Sequence, residues 1–172
     1  KKGGFHMGSY LNPGNKGFQE SLNSEIYVDK TGLIEKTNAV LDTRQKFLCV
    51  SRPRRFGKSM AADMLAAYYE RGEDADLLFR SLKISKAESY RAHLNQYDVI
   101  KVNIQEFLSM TGSMDEMLSM LKKYLVFDLM EHFDDVRFRD ESNLIQVMKD
   151  IYAKTKRAFV ILIDEWDCLF RE

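Results

Sequence analysis

Three residues in a row, Gly57, Lys58 and Ser59, carry the chemistry of a phosphate site. They close the stretch Arg52-Pro53-Arg54-Arg55-Phe56-Gly57-Lys58-Ser59, which resembles the phosphate-loop pattern G-x-x-x-x-G-K-[ST] with Arg52 in place of the first glycine. A polyphosphate needs several donors converging on it, and backbone N–H groups at a helix N-terminus supply them together with the positive end of the helix dipole. Gly57 lets the backbone approach without a Cβ in the way. Lys58 is suited to reach the β- and γ-phosphates, and the Ser59 hydroxyl to ligate Mg²⁺. The missing first glycine is an objection. Pro53 answers part of it, since it fixes its own φ and biases Arg52 toward extended backbone. An ordinary basic turn between a strand and a helix is the competing reading.

A second cluster of chemistry lies near the other end. Phe159-Val160-Ile161-Leu162-Ile163 is a run of apolar residues that ends in Asp164-Glu165-Trp166-Asp167. Such a run fits a strand buried on both faces, as in a parallel sheet. Asp164 at its end is placed to hold Mg²⁺, the Walker B role. Glu165 is placed to orient or deprotonate an attacking water. A buried strand with a solvated acidic end is the plainer alternative. The two features in this order, however, coincide by chance much less often than either alone.

These residues need a scaffold, and the chain supplies candidate elements. Lys46 to Ser51 reads as the first core strand, leading into the loop, and Met60 to Tyr69 as the helix after it, ending near Gly72. Tyr97 to Ile104 reads as a second core strand. Upstream, Leu11 to Asn15 is turn chemistry and Ile26 to Val28 a short extended piece. Asp29 is suited to cap a helix through Leu33, Ile34 and Val40. Its place before the loop strand suits either a contact to a nucleotide base or simple packing. Leu77 to Ser81 reads as helix or turn. Ser113 and Glu116 form a capping box for a long helix with the stripe Met117, Leu118, Leu121, Leu125 and Leu129. Met110, Met114, Met117 and Met120 would suit an adaptable partner surface, though core packing is the simpler use. A further helix starts near Ser142, with Leu144, Ile145, Met148, Ile151 and Tyr152 expected inward.

The loop RPRRFGKS, the segment Tyr27-Val28-Asp29-Lys30-Thr31 and Asp164-Glu165-Trp166-Asp167 together resemble the bacterial AAA-ATPase-like proteins. Those carry YVDKT, RPRRFGK[ST] and a DEYD-type Walker B, so Arg52 matches the family pattern. The resemblance runs from about Asn12 to the last residue. Trp166 stands where Tyr is usual, and Asn103 where an Asp often ends the second core strand; no role is assigned to Asn103. The resemblance implies an α/β fold, a three-layer P-loop NTPase sandwich with a mainly parallel sheet. It implies ATP and Mg²⁺ as ligands, residues 52–59 as the nucleotide loop, Ser59 and Asp164 on the metal, and Lys58 and Glu165 as catalytic. Family members often continue into a domain resembling PD-(D/E)XK nucleases, a possible partner in a longer protein. A later sheet strand, a sensor residue and an arginine finger would be missing if the family pattern holds to Glu172. The expectation is then an N-terminal part, 12–172, that binds nucleotide weakly and hydrolyses little, with a sheet incomplete on its C-terminal side.

Composition narrows the alternatives. With 172 residues the chain has enough length for one domain with a sizeable core. Lys plus Arg and Asp plus Glu both number 26, so no global charge draws the chain to nucleic acid or membrane. The local RPRR patch keeps a nucleic-acid-binding or defence module open, and a nucleotide-gated switch with little turnover is another alternative. Cys49 and Cys168 form no disulfide framework or metal spacing. His6, His93 and His132 are scattered and are given no site. No apolar run approaches membrane-span length and no signal peptide is evident, which makes a cytoplasmic protein the expectation. Residues 1–11 read as a disordered or mis-assigned leader, with Met7 a candidate start that intact-mass measurement would test. Base preference and oligomeric state are not encoded in any motif.

Overall fold

The computed structural model describes residues 10–24, 27–43 and 58–165, with the backbone alone for Lys58 and Ser59. The expected first core strand, Lys46 to Ser51, lies outside the described residues. The other two apolar runs form a parallel pair. Strand β1 is Asp98–Asn103 and β2 is Phe159–Asp164, in register from Asp98 opposite Phe159 to Asn103 opposite Asp164. Asn103 ends β1 one residue before the expected Ile104. Its side chain turns the backbone into the next helix by accepting hydrogen bonds from Gln105 N and Glu106 N.

The strands hold apolar residues on both faces, as a sheet covered on both sides requires. Val99, Val160 and Leu162 belong to one buried cluster, and Ile100, Val102 and Phe159 to another. The first cluster is built by α1 (Lys16–Leu22), α2 (Gly32–Leu41) and α3 (Lys58–Tyr69), with the short α4 (Asp76–Phe79), a 3-10 turn at Lys83–Lys86 and α5 (Tyr90–His93). Phe18, Leu65, Tyr68, Tyr69 and Phe79 are fully buried there. Complete burial of a Leu or Phe side chain contributes about 1.5–3 kcal/mol each. Helix α3 ends at Tyr69, short of the expected Gly72. Glu70 leaves it to form a parallel bridge with Tyr97, and Arg71 N donates to Tyr97 O at 3.1 Å.

The long crossover between the parallel strands carries α6 (Ile104–Ser109), α7 (Met114–His132) and α8 (Leu144–Thr155). Ser113 caps α7 as expected, accepting from Glu116 N, but the Glu116 carboxylate takes Gly112 N rather than closing the reciprocal box. The buried stripe of α7 is Met117, Leu125 and Leu129, and Leu118 is exposed. On α8 the buried face is Val147, Met148 and Ile151, with Ile145 and Tyr152 outward. Ile145 and Tyr152 lie about 100° off the stripe that Val147, Met148 and Ile151 define, whereas Leu118, seven residues before Leu125, shares its face and is exposed near the start of α7. Met110 and Met114 are also exposed.

Of the expected leader, Tyr10 and Leu11 are described, and both are packed. Leu11 bridges antiparallel to Ile100, Lys101 N donates to Tyr10 O, and the buried carboxylate of Asp128 on α7 accepts from Tyr10 N and Leu11 N. This segment covers the edge of β1 away from β2.

Candidate functional site

The direction of α3 decides which end of the sheet matters. Its C-terminal end meets the entry to β1 through the Glu70–Tyr97 bridge. Seven residues earlier on the helix, Asp63 pairs with the Lys101 ammonium on β1. The helix therefore runs antiparallel to both strands. From Asp63 to Lys58 is five residues, about 7.5 Å at 1.5 Å each. From Lys101 to Asn103 is two residues, roughly 6.6 Å along the strand. The N-terminus of α3 thus lies near the level of Asn103 and Asp164, at the carboxyl ends of the strands. Gly17 of α1 packs close by: a Cβ there would meet the Asp63 carboxylate at 2.7 Å, so that side chain would have to shift.

Asp164 ends β2 with only 4% of its surface exposed. Its Oδ1 accepts from Glu165 N at 2.9 Å, and among the described residues no cation pairs with it. Burying a carboxylate without a compensating partner is costly. Glu165 follows in the left-handed region, at φ 55°, which a residue with a Cβ adopts at some cost. The chain therefore turns sharply after the buried carboxylate and leaves Glu165 half-buried at the strand end. Among the described residues no three His, Cys, Asp or Glu side chains converge on a possible metal. A lone carboxylate still suits Mg²⁺, which keeps much of its shell as water and phosphate oxygen.

Of the residues expected to act, Arg52, Pro53, Arg54, Arg55, Phe56 and Gly57 lie outside the described residues, as do Trp166 and Asp167. The backbone of Lys58 and Ser59 opens α3, as the loop-then-helix reading requires. Asp29 does not cap α2; Thr31 occupies that position. Asp29 accepts instead from the Thr31 hydroxyl and N–H and from Lys83 N, tying the YVDKT segment to the 3-10 turn. Desolvation pushes its carboxyl pKa up, but the hydrogen bonds from Thr31 and Lys83 and the Lys83 charge outweigh this, so the net shift is downward. Asn103, given no role from sequence, is the cap of α6 and sits opposite Asp164. The Lys101–Asp63 pair was also not foreseen; a lysine interrupting the apolar run Val99-Ile100-Lys101-Val102 was its only sequence signal.

In α/β folds with parallel strands, ligands bind outside the carboxyl ends of those strands, and a helix N-terminus at that end adds its dipole. The chain has this arrangement. It belongs to the AAA-ATPase-like family, described as predicted AAA-ATPase, whose model matches residues 14–172. Membership supports a nucleotide-binding, ATPase-like role at a coarse level. No curated protein and no solved structure matches the chain significantly. Among the described residues no helix is long and apolar enough to cross a membrane.

Proposed function

We propose that the chain binds ATP with Mg²⁺ at the carboxyl ends of β1 and β2 and that the protein hydrolyses it. The observation carrying this reading is Asp164: a buried carboxylate, without a cation among the described residues, at the end of the sheet toward which the α3 N-terminus points. In the proposal, residues 52–59 cradle the phosphates, with Lys58 on the β- and γ-phosphates and the Arg54 and Arg55 charges close by. Ser59 and Asp164 hold Mg²⁺, which when bound neutralises phosphate charge during transfer. Glu165 orients the attacking water and accepts its proton; the turn after Asp164 supports this by holding the two carboxylates on consecutive residues without extending the strand. The complete fold in this reading is the three-layer P-loop sandwich, with the loop strand in the same sheet.

The test compares wild type, Lys58→Ala and Glu165→Gln. Lys58→Ala is expected to lose ATP binding. Glu165→Gln is expected to keep binding while turnover falls about 100-fold or more, the typical contribution of a positioned base. Unchanged binding by Lys58→Ala would overturn the phosphate-loop assignment, and unchanged turnover by Glu165→Gln the assignment of the base.

A further inference from the structure

A cavity of about 180 Å³ lies between the YVDKT segment, α1, α2 and the first turns of α3. Its walls are apolar, built from Phe18, Leu33, Met60 and Met64, with Ala61 beside them. Met60 and Ala61 are the first two residues after Ser59, within roughly 5 Å of the helix start at 1.5 Å per residue. The cavity therefore adjoins the end of the loop assigned above to phosphate. Lys30 and Lys36, both exposed, line it as well.

Tyr27 also lines this cavity, and its buried hydroxyl has no hydrogen-bond partner among the described residues. Leaving a hydroxyl in that state is costly, and it can both donate and accept. Its orientation is fixed by packing: the Tyr27 ring meets Phe18 edge-on, with centroids 6.4 Å apart, and Phe18 is stacked on Phe79 at 4.8 Å. Desolvation, with a smaller contribution from the Asp29 charge, raises the hydroxyl pKa, so it remains a neutral donor at physiological pH. The methionine thioethers are polarizable and make favourable contacts with aromatic ring edges.

We propose that this cavity receives the flat heteroaromatic base of the nucleotide. Tyr27 hydrogen-bonds the base edge, Met60 and Met64 pack against its ring, and Lys30 and Lys36 face the charged remainder. The proposal rests on the phosphate-binding reading of residues 52–59. It also assigns the role within YVDKT: Asp29 and Thr31 brace the segment from behind, and Tyr27 is the residue that touches ligand.

The test separates base from phosphate. Binding of MgATP and of Mg-tripolyphosphate, which has no base, is measured by competition against a fluorescent ATP analogue. Wild type is compared with Tyr27→Phe, Ala61→Phe and Lys58→Ala. Tyr27→Phe removes only an oxygen that has no partner among the described residues, so folding is expected to be retained, which a melting curve checks. It is expected to weaken ATP about 5- to 10-fold, the worth of one hydrogen bond, and to leave tripolyphosphate within about 2-fold. Ala61→Phe fills the cavity and is expected to weaken ATP about 10-fold or more with the same selectivity. Loss of both ligands in Lys58→Ala, with the ratio of ATP to tripolyphosphate affinity unchanged in both cavity variants, overturns the base pocket alone. Binding unaffected by Lys58→Ala overturns the phosphate reading and the pocket with it.

Discussion

Asp98 and Asp164 sit at opposite ends of the same two strands. Asp98 opens β1 and is fully buried, and Asp164 closes β2 with 4% exposed. The residue type and the burial match; what compensates the charge does not. Arg71 Nε reaches Asp98 Oδ1 at 2.6 Å, Arg157 Nε reaches Oδ2 at 3.4 Å, and Asn12 donates to Oδ1 at 3.4 Å. Asp164 has the N–H of its own neighbour and, among the described residues, no cation. A charge removed from water must be met by partners or it destabilises the fold. The Asp98 end meets that demand from within the chain and acts as a clasp. At the Asp164 end no cation among the described residues meets it.

The largest expected effect separates these two roles. Asp98→Ala leaves two guanidinium groups facing an empty site and removes the acceptor of the Asn12 amide, and is expected to cost about 3–4 kcal/mol, the scale for breaking a buried pair. Asp164→Asn keeps an acceptor for Glu165 N and removes a charge that no cation among the described residues meets, so its stability is expected to stay within about 1 kcal/mol of wild type or to rise. Urea denaturation of both variants measures this. Equal losses at the two positions would break the comparison, because Asp164 would then be a structural carboxylate like Asp98.

A second effect lies at the Asp98 end, in a second buried acid there. Glu70 is 1% exposed, accepts Gly14 N at 2.9 Å through Oε2, and has no partner for Oε1 among the described residues. Desolvation is the main cause that lifts its pKa to about 7 from 4.5; the Gly14 hydrogen bond opposes it, and the Glu73 charge adds to it. The folded-state pKa is raised, so the stabilisation is full below about pH 4.5 and is lost as pH rises through 7. A shift of that size corresponds to about 3 kcal/mol between those limits. Glu70→Gln keeps an acceptor for Gly14 and removes the titration. Its stability is expected to be flat over that window and higher than wild type at pH 7.5. A wild-type profile that does not fall between pH 5 and 7.5 would remove Glu70 from the account of this end.

What sequence could and could not disclose divides along physical lines. The strand Phe159–Asp164, the helix from Lys58 to Tyr69 and the Ser113 cap were legible because each rests on local pattern: an apolar run, a helical period, a capping residue. The α/β class with parallel strands was legible for the same reason. Ile145 and Tyr152 border the true stripe of α8, and Leu118 lies on the stripe of α7 but near the helix start, so only packing draws the line. The clasp at Asp98 was invisible. It joins Asn12, Arg71, Asp98 and Arg157 across 145 positions of chain, and no local pattern announces so distant a convergence. The candidate site is legible in the opposite sense: its residue types stand out in sequence, and the structure adds the direction of α3 and the burial of Asp164.

The smallest expected effect tests how far the Asp164 end differs from the clasp. Asn103 lies directly opposite Asp164 and caps α6 through Gln105 N at 3.0 Å and Glu106 N at 3.4 Å. Asn103→Ala removes both acceptances and is expected to cost about 1 kcal/mol. Asn103→Asp keeps the cap, because Asp serves that position as well as Asn does. What it adds is a second negative charge one strand spacing, about 4.8 Å, from Asp164. Asn103 is half-exposed, so this repulsion is largely solvated and is expected to cost only a few tenths of a kcal/mol, shrinking as salt is raised. Denaturation midpoints at low and high salt measure it. A salt-independent loss as large as that of Asn103→Ala would show that the cap geometry requires the Asn amide, and the position would then be structural in the same way as Asn12 at the other end.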